Sequence, residues 1–133
     1  MSIQSPSGST FPYYYKGGEL HALKYGGLGT DLPRLAALMD AEEHFLRSRP
    51  AQRLRVWVDF YETDLTAEAA GLFAEHIKRL EGQLVRLAPV GCGRAGQRRI
   101  RSALRSAGGF AVPVRFFNDP EEAKTWLVSA EQG

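Results

Sequence analysis

LVRLAPVGCGRAGQRRIRSALRSA, residues 84–107, reads as a strand, a glycine turn and a helix in immediate succession. Leu84–Val90 is a short apolar run of strand length. Gly91-Cys-Gly-Arg-Ala-Gly96 matches GxGxxG, and Gln97–Ala107 then places Ile100, Ala103, Leu104 and Ala107 at helical spacing before Gly108-Gly109 ends the run. Strand, turn and helix in that order form half of a βαβ unit, so the flanks decide whether the alternation continues.

It continues both ways. Downstream, Val112–Phe117 predicts a short strand, and Asp119-Pro120-Glu121-Glu122 opens a last helix reaching about Ala130. Upstream, Asp64 or Thr66 opens a helix that buries Leu72, Phe73, Ile77 and Leu80 and ends near Gly82. Leu54–Phe60 is a central-strand candidate. Before it, Thr30 or Asp31 caps a helix with Pro33 in its first turn, a stripe of Leu32, Leu35, Met39 and Leu46, and an end at Ser48 ahead of Arg49-Pro50. Tyr13–Lys16 and Glu19–Tyr25 are β-prone runs joined by Gly17-Gly18, as in a tight hairpin. Residues 1–10 are small and polar and predict a loose tail, leaving 11–130 as one domain. The expected fold is α/β: a mostly parallel sheet of about five strands, an antiparallel N-terminal hairpin, and helices on both faces.

Composition narrows the function classes. At 133 residues and 44% hydrophobic, the chain suits a single buried core. The lone cysteine, Cys92, excludes an internal disulfide framework or a cysteine-based zinc site and fits a reducing, cytoplasmic setting. No apolar run is long enough to span a membrane. His21, His44 and His76 fall on three separate elements without metal-ligand spacing. His76 lies on an apolar stripe, which predicts burial, and Glu42 shares a helix face with Leu35, Met39 and Leu46, which predicts a place at the stripe's edge.

Charge is unevenly spread. Residues 91–118 hold six arginines and no carboxylate, leaving 11 of the 17 basic residues to face all 15 acidic ones elsewhere. Arg94, Arg98, Arg101 and Arg105 step by four, three and four, which lines them along one exposed side of the third helix. Such a row suits an acidic protein partner or a small anionic ligand. Nucleic acid is the least favoured partner, because no aromatic stacking platform is interleaved with the row. The glycine turn is expected to be an anion-friendly concavity rather than a dinucleotide fingerprint, since it follows a later strand and Asp119 is better spent as a helix cap.

The candidate binding set is therefore Gly91, Cys92, Gly93 and Arg94 in the turn, Arg98, Arg101 and Arg105 on the helix, and Asp59, Tyr61 and Thr63 on the facing loop. Asp59 has a structural alternative, accepting N–H bonds within its own loop. Cys92 at a helix start has a thiol-enzyme alternative, although no histidine partner can be assigned to it. No catalytic residue, cofactor or metal is assigned. Tyr13-Tyr14-Tyr15 suits either an exposed edge patch, open to homodimer formation, or core packing by alternate tyrosines.

Residues 53–128 resemble STAS and anti-sigma-factor-antagonist-like domains. The resemblance is carried by Val-Trp-Val-Asp-Phe at 56–60, Leu-Val-Arg-Leu-Ala-Pro-Val-Gly at 84–91, and Arg-Phe-Phe-Asn-Asp-Pro-Glu-Glu-Ala-Lys-Thr-Trp-Leu at 115–127. It implies a non-enzymatic regulatory or adaptor domain that binds a protein, a nucleotide or a lipid. Apolar-ligand or lipid binding is thereby a further alternative. In switching members an Asp-Ser-Ser-Gly-like turn carries a phosphorylated serine; here Asp59 matches its aspartate, but Phe60-Tyr61-Glu62 stand in place of the rest.

Overall fold

Four strands hydrogen-bond in the order β3-β4-β5-β6, with β3 (Tyr13–Tyr15) antiparallel to β4 (Gly18–Lys24) and β4, β5 (Leu54–Asp59) and β6 (Leu84–Val90) parallel. This computed structural model describes residues 2–49 and 53–129. Alternation along β5 buries Leu54, Val56 and Val58 on one face and leaves Arg55, Trp57 and Asp59 half-buried on the other.

Each helix starts where its cap chemistry puts it. Asp31 accepts from the Arg34 N–H ahead of α1 (Leu32–Arg47), Thr66 from Ala69 ahead of α2 (Ala67–Arg79), and Asp119 from Glu121 ahead of α4 (Pro120–Val128). Pro50 and the expected helix end at Ala130 lie outside the described residues. α3 (Gly93–Ser106) begins four residues earlier than expected, so the glycine motif supplies the first turn of the helix itself.

Consecutive parallel strands are spatial neighbours, so the crossovers α1, α2 and α3 share one face of the sheet. Their Leu35, Met39, Phe73, Ile77, Ile100 and Leu104 pack with Leu23, Val56, Val58 and Leu87 in the main core. α4 alone covers the other face, where Ala123 and Leu127 meet Leu20, Ala88 and Val90. Arg55 and Arg86 reach from the sheet to the carbonyls of Leu127 and Trp126, satisfying the end of α4.

Three expectations need correction. The hairpin turns at Lys16-Gly17, both at positive φ (48° and 85°), because Tyr15 pairs with Gly18; the turn sits one residue earlier than Gly17-Gly18. Residues 112–117 do not complete a fifth strand. They run parallel to β6 through isolated bridges, with Leu87 N donating to Pro113 O, Arg115 N to Leu87 O, Phe117 N to Pro89 O and Gly91 N to Phe117 O. The rung missing from this alternation is the one residue 89 would donate to Arg115, and Pro89 has no N–H to give.

The third concerns the N-terminus. In place of a loose tail through residue 10, Ile3–Gln4 (β1) and Thr10–Phe11 (β2) pair as a small antiparallel strap, with Ser5 and Ser9 buried between them. The strap lies along the stretch of β4 that β3 does not reach, where the Lys24 N–H donates to Ser7 Oγ at 3.0 Å.

Candidate functional site

The arginine row is real and exposed. At about 100° per residue, Arg94, Arg98, Arg101 and Arg105 fall within an arc of about 60° on α3, turned away from the buried Ile100 and Leu104. No carboxylate pairs with any of the four among the described residues. Arg98, Arg101 and Arg105 border a shallow concavity of about 500 Å³, together with Arg99 and Ser102. Arg101 is seated on the ring of Phe116, 4.7 Å from its centroid, and Arg99 is tied to the Leu65 carbonyl. Half the concavity's cations are thus anchored, while Arg98 and Arg105 are exposed on the surface.

The remaining candidates do not join that row. Asp59 accepts the Tyr61 N–H at 3.0 Å, and Gly26 packs so closely that a Cβ there would lie 3.0 Å from the same carboxylate oxygen. Thr63 Oγ1 donates to the Tyr25 carbonyl and accepts from the Leu28 N–H, pinning the glycine joint. Both side chains are therefore employed in loop geometry. Thr63 also borders a small hollow of about 100 Å³ that holds Asp31, Asp64 and Glu68, a lining of the wrong sign for an anion.

The glycine motif resolves into packing. Gly91 sits at φ 80° beneath the Tyr61 ring, where a Cβ would come within 2.9 Å of Cγ, and its N–H is committed to Phe117. Gly96 lies against Leu65, which a Cβ would meet at 3.1 Å. Gly93 has φ 71° and open space around it. Because the strand order never reverses, the carboxyl edge also lacks the switch-point crevice that open α/β sheets use for ligands. Cys92 precedes the helix half-buried, and desolvation pushes its thiol up to about 12.

Two polar networks that the sequence reading did not connect lie under the strap and between α1 and α2. Glu42 is fully buried rather than at the stripe's edge. Its carboxylate accepts from His21 Nε2 at 3.0 Å, Ser5 Oγ at 2.5 Å, Ser7 N at 2.8 Å and Ser7 Oγ at 2.6 Å. Burial pushes its pKa up, but those hydrogen bonds and the His21 ring prevail and hold it below the ordinary glutamate value. Next to it, Glu43 accepts from Arg79 Nε at 2.9 Å and from His76 Nδ1 at 3.2 Å. With Nδ1 donating, His76 Nε2 is left to accept the Tyr25 hydroxyl at 2.8 Å.

Tyr25, His76 and Glu43 thus have the order of a general-base relay, but Tyr25 and His76 are both fully buried, so no substrate reaches the hydroxyl. Burial raises the Tyr25 pKa well above its ordinary value, with Glu42 and Glu43 adding to it, and burial lowers that of His76 against the pull of Glu43. The signal for both networks was present in sequence. Glu42 and His76 stand on apolar stripes, and His21 shares its strand face with Leu23 and Tyr25, so each burial demands a polar partner.

No group of three or more histidine, cysteine or carboxylate side chains could hold a metal among the described residues, and no helix there is long and apolar enough to cross a membrane. The chemistry left on the surface is electrostatic: a guanidinium face on α3 and, across the sheet, a lysine–aromatic cleft beside α4. Compared with known proteins, the chain matches no family model, no curated protein and no solved structure.

Proposed function

We propose that this protein is a non-catalytic, STAS-like regulatory or adaptor domain that binds an acidic protein segment on the arginine face of α3. The observation that carries this reading is the exposed row Arg94, Arg98, Arg101 and Arg105, uncompensated by any carboxylate on its own helix. Helices that only keep a protein soluble intersperse both signs, and a single-sign row costs self-repulsion unless a partner relieves it. The anchoring of Arg101 on Phe116 supports the same reading, since a preset guanidinium loses less freedom on binding. The employment of Asp59 and Thr63 in loop geometry, and the raised pKa of the half-buried Cys92 thiol, support a binding rather than a catalytic reading.

A fluorescent glutamate-rich decapeptide tests the proposal. Titrated at low salt, it is expected to bind with an affinity that R98E/R101E/R105E weakens at least tenfold. A control with the same charge change elsewhere, K16E/R34E/R53E, is expected to lose far less. Equal losses in the two variants would reduce the interaction to net charge and overturn the assignment to α3. Tighter binding of duplex DNA than of the peptide, lost in the same α3 variant, would overturn the choice of partner.

A further inference from the structure

Across the sheet from α3, a cleft of about 230 Å³ opens beside α4, lined by Thr10, Tyr13, Ala22, Lys24, Trp57 and Lys124. Ala22 and Trp57 are register partners on β4 and β5, so a small residue sits beside the indole and leaves room above it. Trp57 Nε1 is buried and meets no hydrogen-bond acceptor among the described residues. An indole nitrogen can only donate, so whatever satisfies it must bring an acceptor. The indole ring that carries this nitrogen forms a wall of the cleft.

Charge and shape restrict the acceptor further. Two ammonium groups border the space. Lys124 is compensated by Glu121 Oε2 at 2.7 Å and held over the rings of Tyr15, Tyr13 and Trp57 at 4.9, 5.8 and 6.0 Å. Lys24 is exposed and pairs with no carboxylate among the described residues, so one positive charge is left over. No carboxylate lines the cleft. One spare cation suits a monoanion, while the indole, Tyr13 and Ala22 walls suit a flat apolar body. The space exceeds the ~150 Å³ that is known to hold benzene.

We infer that this cleft binds a small aromatic carboxylate of about benzoate size, with the carboxylate paired to Lys24 and the ring lying between Trp57 and Tyr13. The site is independent of the α3 face and of the function proposed for it. A nucleotide is too large for it, and a phosphate dianion would find too few donors.

The protein has two tryptophans, so NMR reads the site directly: the Trp57 indole N–H is one of two such resonances, assigned by its persistence in W126F. Titration with benzoate is expected to move the Trp57 resonance saturably, at low-millimolar concentration or below, and to leave Trp126 unmoved. K24M, at an exposed position, is expected to weaken binding about tenfold, the loss of one charge pair. Benzyl alcohol and inorganic phosphate serve as the neutral and ring-free controls, and neither is expected to saturate. No saturable shift with benzoate would overturn the site. Equal binding of benzyl alcohol would overturn the role of charge, and equal binding of phosphate would overturn the aromatic assignment.

Discussion

α1 and α3 handle charge in opposite ways. On α1, adjacent Glu42 and Glu43 turn inward, and both carboxylates are consumed: one by His21, Ser5 and Ser7, the other by His76, Arg79 and Arg47. On α3, the arginines turn outward and meet no carboxylate among the described residues. A satisfied buried charge fixes architecture, because its removal strands every partner. An unsatisfied exposed charge contributes little to the fold and remains available to something else. The contrast separates the polar groups that hold this molecule together from those it can use.

The largest expected effect comes from breaking the α1 side. Glu42→Ala strands the buried His21 and Ser5 and the half-buried Ser7 and is expected to cost on the order of 3–5 kcal/mol in denaturant unfolding. Glu42→Gln keeps the shape and most donors' partners and is expected to cost less than half as much. Because the Glu42 pKa is lowered on folding, its contribution is complete above the ordinary glutamate value and is lost as pH falls through the lower folded value. Acid should therefore release the strap as pH falls below the ordinary glutamate value. Amide exchange at Ser7, Ser9 and Lys24, whose N–H groups bond to Glu42, Ser5 and Ser7, reads that release directly. Unchanged protection in Glu42→Ala would show that the strap is held by Phe11 packing alone.

That strap also marks where sequence reading stops. Asp31, Thr66 and Asp119 announced their helices because a cap is local: the acceptor and its N–H lie two or three residues apart. β5 and β6 were legible for the same reason, as short apolar runs between breakers. Ser5 and Ser7 carry no such signal, since their partner Glu42 is 37 and 35 residues away and nothing in Met-Ser-Ile-Gln-Ser-Pro-Ser-Gly-Ser-Thr has periodicity. Residues 112–117 look like a strand by composition, and only their neighbour reveals the missing rung, because the defect is Pro89 on another element. At the candidate site, the arginine row was visible from spacing alone. The role of Asp59 as an acceptor within its own loop was visible too, but the commitment of Thr63 to the glycine joint was not, because it depends on where Tyr25 and Leu28 pass.

A smaller effect separates the second α1 network from the first. Burial lowers the His76 pKa, so the unfolded chain binds its proton first as pH drops below the ordinary histidine value of about 6.5. Stability is therefore expected to decline from there toward the lower folded value, ahead of any loss at Glu42. His76→Gln retains a polar group between Tyr25 and Glu43 and is expected to cost about 1–2 kcal/mol at pH 8. It is also expected to flatten the decline between pH 6.5 and the glutamate range, measured as unfolding free energy against pH. A variant with the wild-type slope would transfer that titration to another group and leave the His76 bonds without a measurable share.

The smallest effect is expected where the charge is densest. R98E/R101E/R105E reverses three exposed side chains and is expected to change unfolding free energy by less than about 1 kcal/mol. Two opposing contributions keep it small. Replacing Arg105 in the last turn sets a carboxylate against the helix dipole, while reversing the row relieves repulsion among the six arginines of residues 91–118. Lost stacking of Arg101 on Phe116 adds a modest penalty. A near-neutral stability change together with a large loss of peptide affinity would place the row's cost in binding rather than folding, as the contrast with α1 requires. If the triple variant instead unfolds as readily as Glu42→Ala, the arginines are structural after all, and the line drawn between the two helices fails.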